Sequence, residues 1–351
     1  MNSSGKIQPP WLSQGQLAVL GTGAAFPGEG VETETLITLM ENRFSLTKTR
    51  EARIIAKHLA IHTRHICRDF DVATEQPRAG HANPELAATA VQAALDDAGL
   101  DISDLGYLIG HTTTPHQPLP ANITMVADVL GYGGPHLELR QACTGFANAL
   151  MIAFGLVAVP GARPVAIVGS ETGTLFFDPA RANEDRGQLV NLLQMGDGAG
   201  AVIIGPADRG ADKISAAWFG AIGLGRKPGL QMQARSGEFD HDFAAILKSG
   251  SLLYDAGEAA ARRQNCPIET ADVIIPHQTS GRIGAQAAAH FSCPIERVYV
   301  NADKIGNTGS AAIWIALDHL RKNGLKSGQR VLTLGAEATK YMYGGFAYDH
   351  G

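Results

Sequence analysis

The chain contains a long internal repeat, in which three segments of the first half recur in the second half at an offset of about 165 residues. The segment L-G-Y-L-I-G-H-T-T, with His111, matches A-D-V-I-I-P-H-Q-T, with His277. The segment A-C-T-G-F-A-N-A-L-M-I-A, with Cys143, matches G-N-T-G-S-A-A-I-W-I-A-L, with Asn307. The third pair is P-V-A-I-V-G-S-E-T and R-V-L-T-L-G-A-E-A. A repeat of strand-like and helix-like units at this period predicts two similar α/β halves packed together, and not a short-period solenoid.

Strand-like and helix-like segments alternate along the first half. Apolar runs of strand length cover 17–20, 105–111 and 164–169, and helical spacing covers 84–98 and 121–130. We expect Asn83 to cap the start of the 84–98 helix and Gly99 its end. The repeat divides the chain into halves at 1–205 and 206–351, with a polar linker over 206–212. Since functional groups in such sheets collect outside the carboxyl ends of the strands, equivalent turns of the two halves are expected to face one site.

Composition excludes several classes of function. The 351 residues are 45% apolar, which is enough for a sizeable core, and the net charge of −5 comes without a basic stripe. A nucleic-acid surface is therefore not expected. No apolar run has the length needed to span a bilayer, and the N-terminus lacks the apolar stretch of a signal peptide. We expect a protein of the cytoplasm that does not insert into membranes.

A thiol, an imidazole and an amide stand at strand ends or helix starts. Cys143 directly precedes an apolar helix, where the positive end of the helix macrodipole is expected to lower the thiol pKa. His277 ends a strand-like run, and Asn307 opens a helix-like one. Together they are typical of a nucleophile with its partners. Each also has a simpler interpretation: a small buried residue for Cys143, a polar strand end for His277 and a helix cap for Asn307.

The remaining cysteines and the glycine-rich runs indicate structure. Cys67 is expected to have a packing or surface role, and Cys266 and Cys293 each precede a proline and are expected in loops. The four cysteines form no C-x-x-C pair, which favours a reduced compartment, and the scattered His and Cys residues predict no metal site. The run G-D-G-A-G-A is followed by V-I-I-G and predicts a tight turn between strands, not a dinucleotide site.

Four motifs in order resemble the thiolase-like superfamily and, within it, the β-ketoacyl-acyl-carrier-protein synthase III group. They are A-C-T-G-F at Cys143, G-D-G-A-G-A at 196–201, P-H-Q at His277 and G-N-T-G-S-A at Asn307. The resemblance covers almost the whole chain. It implies a five-layered αβαβα sandwich made of two duplicated halves, and a homodimer.

The resemblance also implies a reaction. Cys143 would take an acyl group from acyl-coenzyme A or an acyl-carrier protein, and a malonyl thioester would then lose carbon dioxide and attack it. His277 and Asn307 would hydrogen-bond the thioester oxygen on which enolate charge develops. The backbone N–H of Cys143 would belong to an oxyanion hole. No cofactor is implied, because the coenzyme A and phosphopantetheine thioesters are substrates.

Other positions follow the family pattern only in part. Ile54 replaces a Trp that helps to hold the coenzyme A adenine, and His58 replaces an Arg after it. Arg186 matches the second adenine-clamping residue, with a merely solvated arginine as the alternative. Thr339 replaces a Gly that donates an oxyanion N–H, and a left-handed φ at this position would strain a β-branched residue. His111 would line the acyl or acceptor pocket, with a structural role as the alternative.

These features predict an acyl-thioester condensing enzyme, an acyltransferase of the synthase III type, in a specialised fatty-acid or polyketide-type pathway. The alternative within the family is an acyltransferase that delivers the acyl group to an oxygen or nitrogen nucleophile without decarboxylation. A cysteine hydrolase would use a similar thiol, imidazole and amide. A degenerate subunit that only binds a carrier protein or an active relative is the non-enzymatic alternative.

Overall fold

A computed structural model describes residues 8–70, 76–232 and 239–351 of the chain. The strands are β1 Trp11–Leu12, β2 Leu17–Ala25, β3 Val31–Glu32, β4 Thr63–Arg64, β5 Tyr107–His111, β6 His136–Leu139, β7 Val165–Glu171, β8 Gly198–Pro206, β9 Lys213–Ala221, β10 Leu230–Met232, β11 Phe239–His241, β12 Val273–Pro276, β13 Arg330–Glu337 and β14 Met342–Asp349. The α-helices are α1 Thr33–Phe44, α2 Thr49–Leu59, α3 Asn83–Ala98, α4 Asn122–Leu130, α5 Gly145–Val157, α6 Arg186–Gln194, α7 Phe243–Arg263, α8 Ile283–His290, α9 Ala302–Ile305 and α10 Ala312–Asn323. Short 3-10 helices cover Ile102–Asp104, Gly173–Leu175, Pro179–Asn183, Ala207–Arg209, Ile268–Thr270, Ile295–Arg297 and Gly309–Ala311.

The main strands form two sets with matching topology. The first set has the order β2-β8-β7-β5-β6, and the second has the order β9-β14-β13-β12. In both sets the first two pairings are antiparallel and the pairing of the β7/β5 or β13/β12 strands is parallel. A short antiparallel pairing of Leu17 and Ala18 with Ile214 and Lys213 joins the sets into one ten-stranded sheet. The predicted pair of similar α/β halves is confirmed, while the boundary at residues 205 and 206 stays a prediction.

Helices pack on both outer faces and between the two sets. Helix α3 covers β2 and β8 of the first set, and α7 covers β13 and β14 of the second. Between the sets, α5 contacts β7 of the first and β9 and β14 of the second, and α10 contacts β2 and β8. These layers form the predicted five-layered αβαβα sandwich. Because α5 is buried on opposite sides, it is apolar nearly all round.

Three aromatic residues from both halves pack against one another in the core between the two sets of strands. The rings of Phe146 and Trp314 meet edge to face with centroids 6.0 Å apart, and Trp314 stacks on Phe346 at 5.6 Å. All three side chains are fully buried. Such pairs contribute about 0.5–1.5 kcal/mol each beyond the burial of their area. The starts of α5 and α10 are thereby held against a common centre.

The ends of α3 test the predicted caps. Gly99 takes the left-handed conformation at φ 63° and closes the helix, as predicted. The prediction for Asn83 is wrong, because Ala82 is the N-cap and the Glu85 carboxylate accepts its backbone N–H at 2.7 Å. The Asn83 amide is buried instead and donates to the Thr114 carbonyl at 2.7 Å.

Among the described residues, no helix is long and apolar enough to cross a membrane.

Candidate active site

Cys143 lies in the turn between β6 and the first residue of α5, as predicted. The turn is so tight that position 145 has no room for a side chain, since a Cβ there would lie 2.7 Å from Nδ1 of His111. Cys143 is half-buried in this turn. The predicted nucleophile thus lies just before the first turn of α5, in the helical layer between the two sets of strands.

The predicted lowering of the thiol pKa is wrong for the free enzyme. Burial raises the pKa of Cys143 well above its ordinary value, and the carboxylates of Glu337 and Glu171 raise it further. The positive end of α5 is close by, but the loss of water and two nearby negative charges act against the thiolate more strongly. The resting thiol is consequently protonated at neutral pH.

Glu337, at the end of β13, was not identified from the sequence. One carboxylate oxygen accepts the backbone N–H of Thr144 at 2.9 Å and its hydroxyl at 2.6 Å. The other oxygen accepts the hydroxyl of Thr339. Glu337 is 1% exposed, so these donors replace the water that it loses.

Glu171, at the end of β7, was missed in the same way. It accepts the backbone N–H and hydroxyl of Thr113 at 3.0 and 2.9 Å and the hydroxyls of Thr114 and Ser310. Burial raises the pKa of its carboxyl group, and these hydrogen bonds act in the opposite direction. The internal repeat could have pointed to Glu171 and Glu337, because G-S-E and G-A-E occupy equivalent places at the ends of apolar runs.

His277 directly follows β12, and its backbone N–H donates to the Leu334 carbonyl of β13 at 3.0 Å. Burial lowers the pKa of its imidazole to about 4, so the ring is neutral at ordinary pH. Burial raises the pKa of the Tyr254 hydroxyl in α7, a thiolate at Cys143 would raise it further, and the His277 backbone lowers it. Tyr254 was also missed from the sequence.

Asn307 lies in the turn before the 3-10 helix Gly309–Ala311. Its side-chain oxygen accepts the Gly309 N–H at 3.0 Å, which makes it a cap and leaves the amide nitrogen as the group able to donate to a ligand. Its backbone pairs with Gln194 at 2.9 Å and with Gly196 at 3.1 Å. Gly306 has φ 74° and touches the backbone of Gly196, so both positions require glycine.

The glycine-rich runs at 196–201 and 306–309 therefore pack against each other through their backbones. A Cβ on Gly196 would lie 2.0 Å from the Ile305 carbonyl, and Asp197 accepts the backbone N–H groups of Cys67 and Thr174. Strand β8 begins directly afterwards at Gly198. The predicted tight turn between strands is wrong, because the run follows helix α6 and its residues from Gly198 onward lie within β8. The start of the G-D-G-A-G-A run is instead a close backbone crossing beside the Asn307 turn. Cys67 is fully buried, in agreement with a packing role.

Two predicted substrate-binding residues lie in different surroundings. His111 is 1% exposed, and its Nε2 accepts the Trp314 indole N–H at 3.0 Å. Burial lowers its pKa to about 3, which favours a structural role beneath the start of α5 and leaves substrate contact a prediction. Arg186 begins α6 and forms an exposed ion pair with Glu51 of α2 at 3.0 Å. Ile54, one turn after Glu51, is 61% exposed. The adenine-clamping role of Arg186 stays a prediction.

Thr339 lies in the hairpin loop 338–341 between β13 and β14. The residue with a left-handed φ in this loop is Tyr341, at φ 55°, two residues after Thr339, so the strain considered for Thr339 does not arise there. The oxyanion roles of the Thr339 and Cys143 backbone N–H groups stay predictions. Among the described residues, no group of three or more His, Cys, Asp or Glu side chains could hold a metal ion.

The duplicated five-layered sandwich is the thiolase fold. The family model described as 3-oxoacyl-(acyl-carrier-protein) synthase III matches residues 137–223, and the model of its C-terminal part matches residues 261–346. The chain belongs to the 3-oxoacyl-(acyl-carrier-protein) synthase III family and is a condensing enzyme of the transferase class.

Individual relatives agree with this assignment. The chain is 33% identical over 266 residues to the β-ketoacyl-(acyl-carrier-protein) synthase III of Rhodobacter capsulatus, which covers 72% of this chain and 80% of that protein. It is 29% identical over 347 residues to the enzyme of the same name from Neisseria meningitidis serogroup C, covering 94% and 96%. Among solved structures, a tetronic acid condensing enzyme superposes with a TM-score of 0.79 at 25% identity and covers 95% of this chain and 99% of its own.

Proposed function

We propose that the protein catalyses a decarboxylative Claisen condensation in which Cys143 carries the acyl group. The observation that carries the proposal is the state of three residues at strand ends and helix starts. Cys143 shortly precedes α5, His277 follows β12 with a neutral imidazole, and the Asn307 side-chain oxygen caps Gly309, which leaves its amide nitrogen able to donate. The enzymes that the chain resembles are named as synthases that act with an acyl-carrier protein, which supports thioesters of a carrier protein or coenzyme A as substrates.

In the first half-reaction, the Cys143 sulfur attacks the thioester carbonyl, a new carbon–sulfur bond forms and the old one breaks. The thiol proton ends on the departing coenzyme A or carrier thiol. Because the resting thiol is protonated, the neutral His277 ring is the group suited to accept this proton in passing. The backbone N–H groups of Cys143 and Thr339 stabilise the tetrahedral oxyanion in this proposal.

In the second half-reaction, a malonyl thioester loses carbon dioxide, and the electron pair of the broken bond becomes an enolate. The His277 N–H and the Asn307 amide nitrogen donate to the enolate oxygen. The enolate carbon then attacks the acyl-Cys143 carbonyl, which forms the carbon–carbon bond and releases the sulfur. A neutral imidazole suits this step, since it offers an N–H donor without needing an extra proton.

A specialised pathway is part of the proposal. The α2 surface carries Ile54 and His58 where the family pattern has Trp and Arg, and Ile54 is largely exposed. The likeness to a tetronic acid condensing enzyme also favours a product other than the first intermediate of ordinary fatty-acid synthesis. We further propose a homodimer.

Intact-protein mass spectrometry tests the proposal. The protein is mixed with a panel of acyl-coenzyme A and acyl-carrier-protein donors, then with malonyl-carrier protein, beside the Cys143→Ala variant. The expected result is an acyl adduct on wild-type protein only, which a malonyl donor discharges to a β-ketoacyl product. An adduct that malonyl donors leave in place and that an alcohol or amine discharges would establish the non-decarboxylative acyltransferase instead. No adduct from any donor would contradict the proposal.

A further inference from the structure

The two buried carboxylates beside Cys143 occupy equivalent positions of the internal repeat. Glu171 is the last residue of β7, in G-S-E, and Glu337 is the last residue of β13, in G-A-E. They are 2% and 1% exposed. A buried carboxylate is costly unless it is well bonded, so the partners of each residue indicate why it is retained.

Glu337 belongs to the second half but bonds the nucleophile turn of the first half. It accepts both the backbone N–H and the hydroxyl of Thr144, the residue after Cys143, at 2.9 and 2.6 Å. Its other oxygen accepts the Thr339 hydroxyl from its own hairpin loop. A single carboxylate therefore joins the turn that carries the nucleophile to the loop expected to donate an oxyanion N–H.

Glu171 makes the reciprocal connection. It belongs to the first half but accepts the Ser310 hydroxyl and backbone N–H in the Asn307 turn, the latter at 3.4 Å. Gly309 makes this approach possible, because a Cβ there would lie 2.9 Å from the Cγ of Glu171. The remaining partners, Thr113 and Thr114, come from its own half.

Hydrogen bonds to a charged acceptor are stronger and more directional than neutral ones. Both carboxylates receive several such bonds from backbone or hydroxyl donors. Within the described part of the chain, neither accepts a hydrogen bond from Cys143, His277 or Asn307. Their contacts lie on the residues next to the reacting groups. The pattern is that of support for the turns and not of participation in the chemistry.

We infer that Glu337 and Glu171 are a pair of crossed positioning residues, of which Glu337 holds the Cys143 turn and Glu171 holds the Asn307 turn. The division of labour rests on the proposed function: Glu337 would serve acyl transfer to Cys143, and Glu171 would serve the malonyl step that needs the Asn307 amide.

Hydrogen–deuterium exchange measured on the intact protein tests the crossed contacts without any reaction. Glu337→Gln, a change in the second half, is expected to speed exchange in the 142–146 turn of the first half. Glu171→Gln is expected to speed exchange in the 307–311 turn of the second half. Faster exchange confined to each residue's own half would overturn the inference.

Half-reaction rates test the division of labour. Glu337→Gln is expected to slow acylation of Cys143 about tenfold, and Glu171→Gln to slow discharge of pre-formed acyl-enzyme by malonyl-carrier protein about tenfold, each with a smaller effect on the other step. Equal slowing of both steps by both variants would contradict the assignment. If wild-type protein takes no acyl group, the proposed function fails, while the exchange measurement still decides whether the crossed contacts hold the turns.

Two milder variants and a control cover the case in which a glutamate variant does not fold. Thr144→Val and Ser310→Ala each remove one hydroxyl donor and are expected to reproduce the two effects separately. Thr333→Val is the matched control, because Thr333 is fully buried on β13 but bonds the Phe346 backbone and neither glutamate. It is expected to lower thermal stability without accelerating exchange in either turn, and acceleration equal to that in Thr144→Val would overturn the inference.

Discussion

Burial raises the pKa of the Cys143 thiol, and the carboxylates of Glu337 and Glu171 raise it further, so its protonated form is favoured. We therefore expect the rate of iodoacetamide alkylation at Cys143 to keep rising with pH beyond about 8.5, where an ordinary thiol ionises. Glu337→Gln removes one charge and should move the profile to lower pH. Site-resolved peptide mass spectrometry over a pH series measures this, with Cys143→Ala as the blank. A wild-type profile that levels off below pH 8 would contradict the expectation.

His111 gives a separate test through stability. Its pKa falls from the usual 6.5 to about 3, so between these values the unfolded chain binds a proton that the folded chain excludes. The free energy of unfolding should therefore decrease as pH falls from 6.5 towards 3. His111→Gln keeps an acceptor for Trp314 but does not titrate.

The variant is expected to be less stable than wild type at pH 7.5, and the gap in Tm should narrow at pH 5. His277 also contributes acid sensitivity, but it is present in both proteins, so it does not enter the difference. Thermal unfolding followed by circular dichroism at the two pH values measures the gap. A gap that widens on acidification would show that His111 is not held neutral.

At the scale of elements, the turn before Asn307 depends on two backbones that touch. Gly306→Ala would place a Cβ at φ 74° and 2.9 Å from the Gly196 nitrogen, so we expect a loss of about 2–4 kcal/mol in the free energy of unfolding from backbone strain and overpacking together. Gly328→Ala is the matched control, because Gly328 has φ 86° but open space around it. Its expected loss is about 1 kcal/mol. Denaturant unfolding distinguishes the two, and equal losses would mean that the crossing tolerates a methyl group.

Local patterns predicted the elements well where one segment decides its own structure. The helical spacing of 84–98 and the glycine after it predicted α3 and its C-cap, because periodicity and left-handed preference are properties of neighbouring residues. Asn83 was wrong because its amide is drawn to Thr114, a partner 31 residues away. Glu171 and Glu337 were missed for the same reason, since their roles come from contacts across the two halves that no local pattern contains.

At the scale of the whole molecule, the halves share one core. Helix α5 contacts strands of both sets, and Phe146, Trp314 and Phe346 combine residues of both halves. We expect a single cooperative unfolding transition by calorimetry, with equal calorimetric and van't Hoff enthalpies. Trp314→Leu should lower the Tm of that one transition. Two resolved transitions, of which Trp314→Leu moves only one, would contradict a shared core.

The repeat predicted the paired architecture, since equivalent motifs at a constant offset require equivalent folds. It also matched Cys143 to Asn307 at equivalent helix starts, and His277 to His111 at equivalent strand ends. The repeat could not predict which half supplies which support, because that depends on the packing of one half against the other. The predicted homodimer stays a prediction.

The crossed carboxylates have a consequence for recombination between homologous genes. A chimera that takes residues up to β8 from one relative and the remainder from another would inherit each glutamate from one parent and its turn from the other. The two parents would have to agree on the spacing of both contacts for such a hybrid to align its reacting groups. Although the two halves have the same fold, we therefore expect functional recombinants to take both halves from one parent. Engineered exchanges are best made at the outer helices.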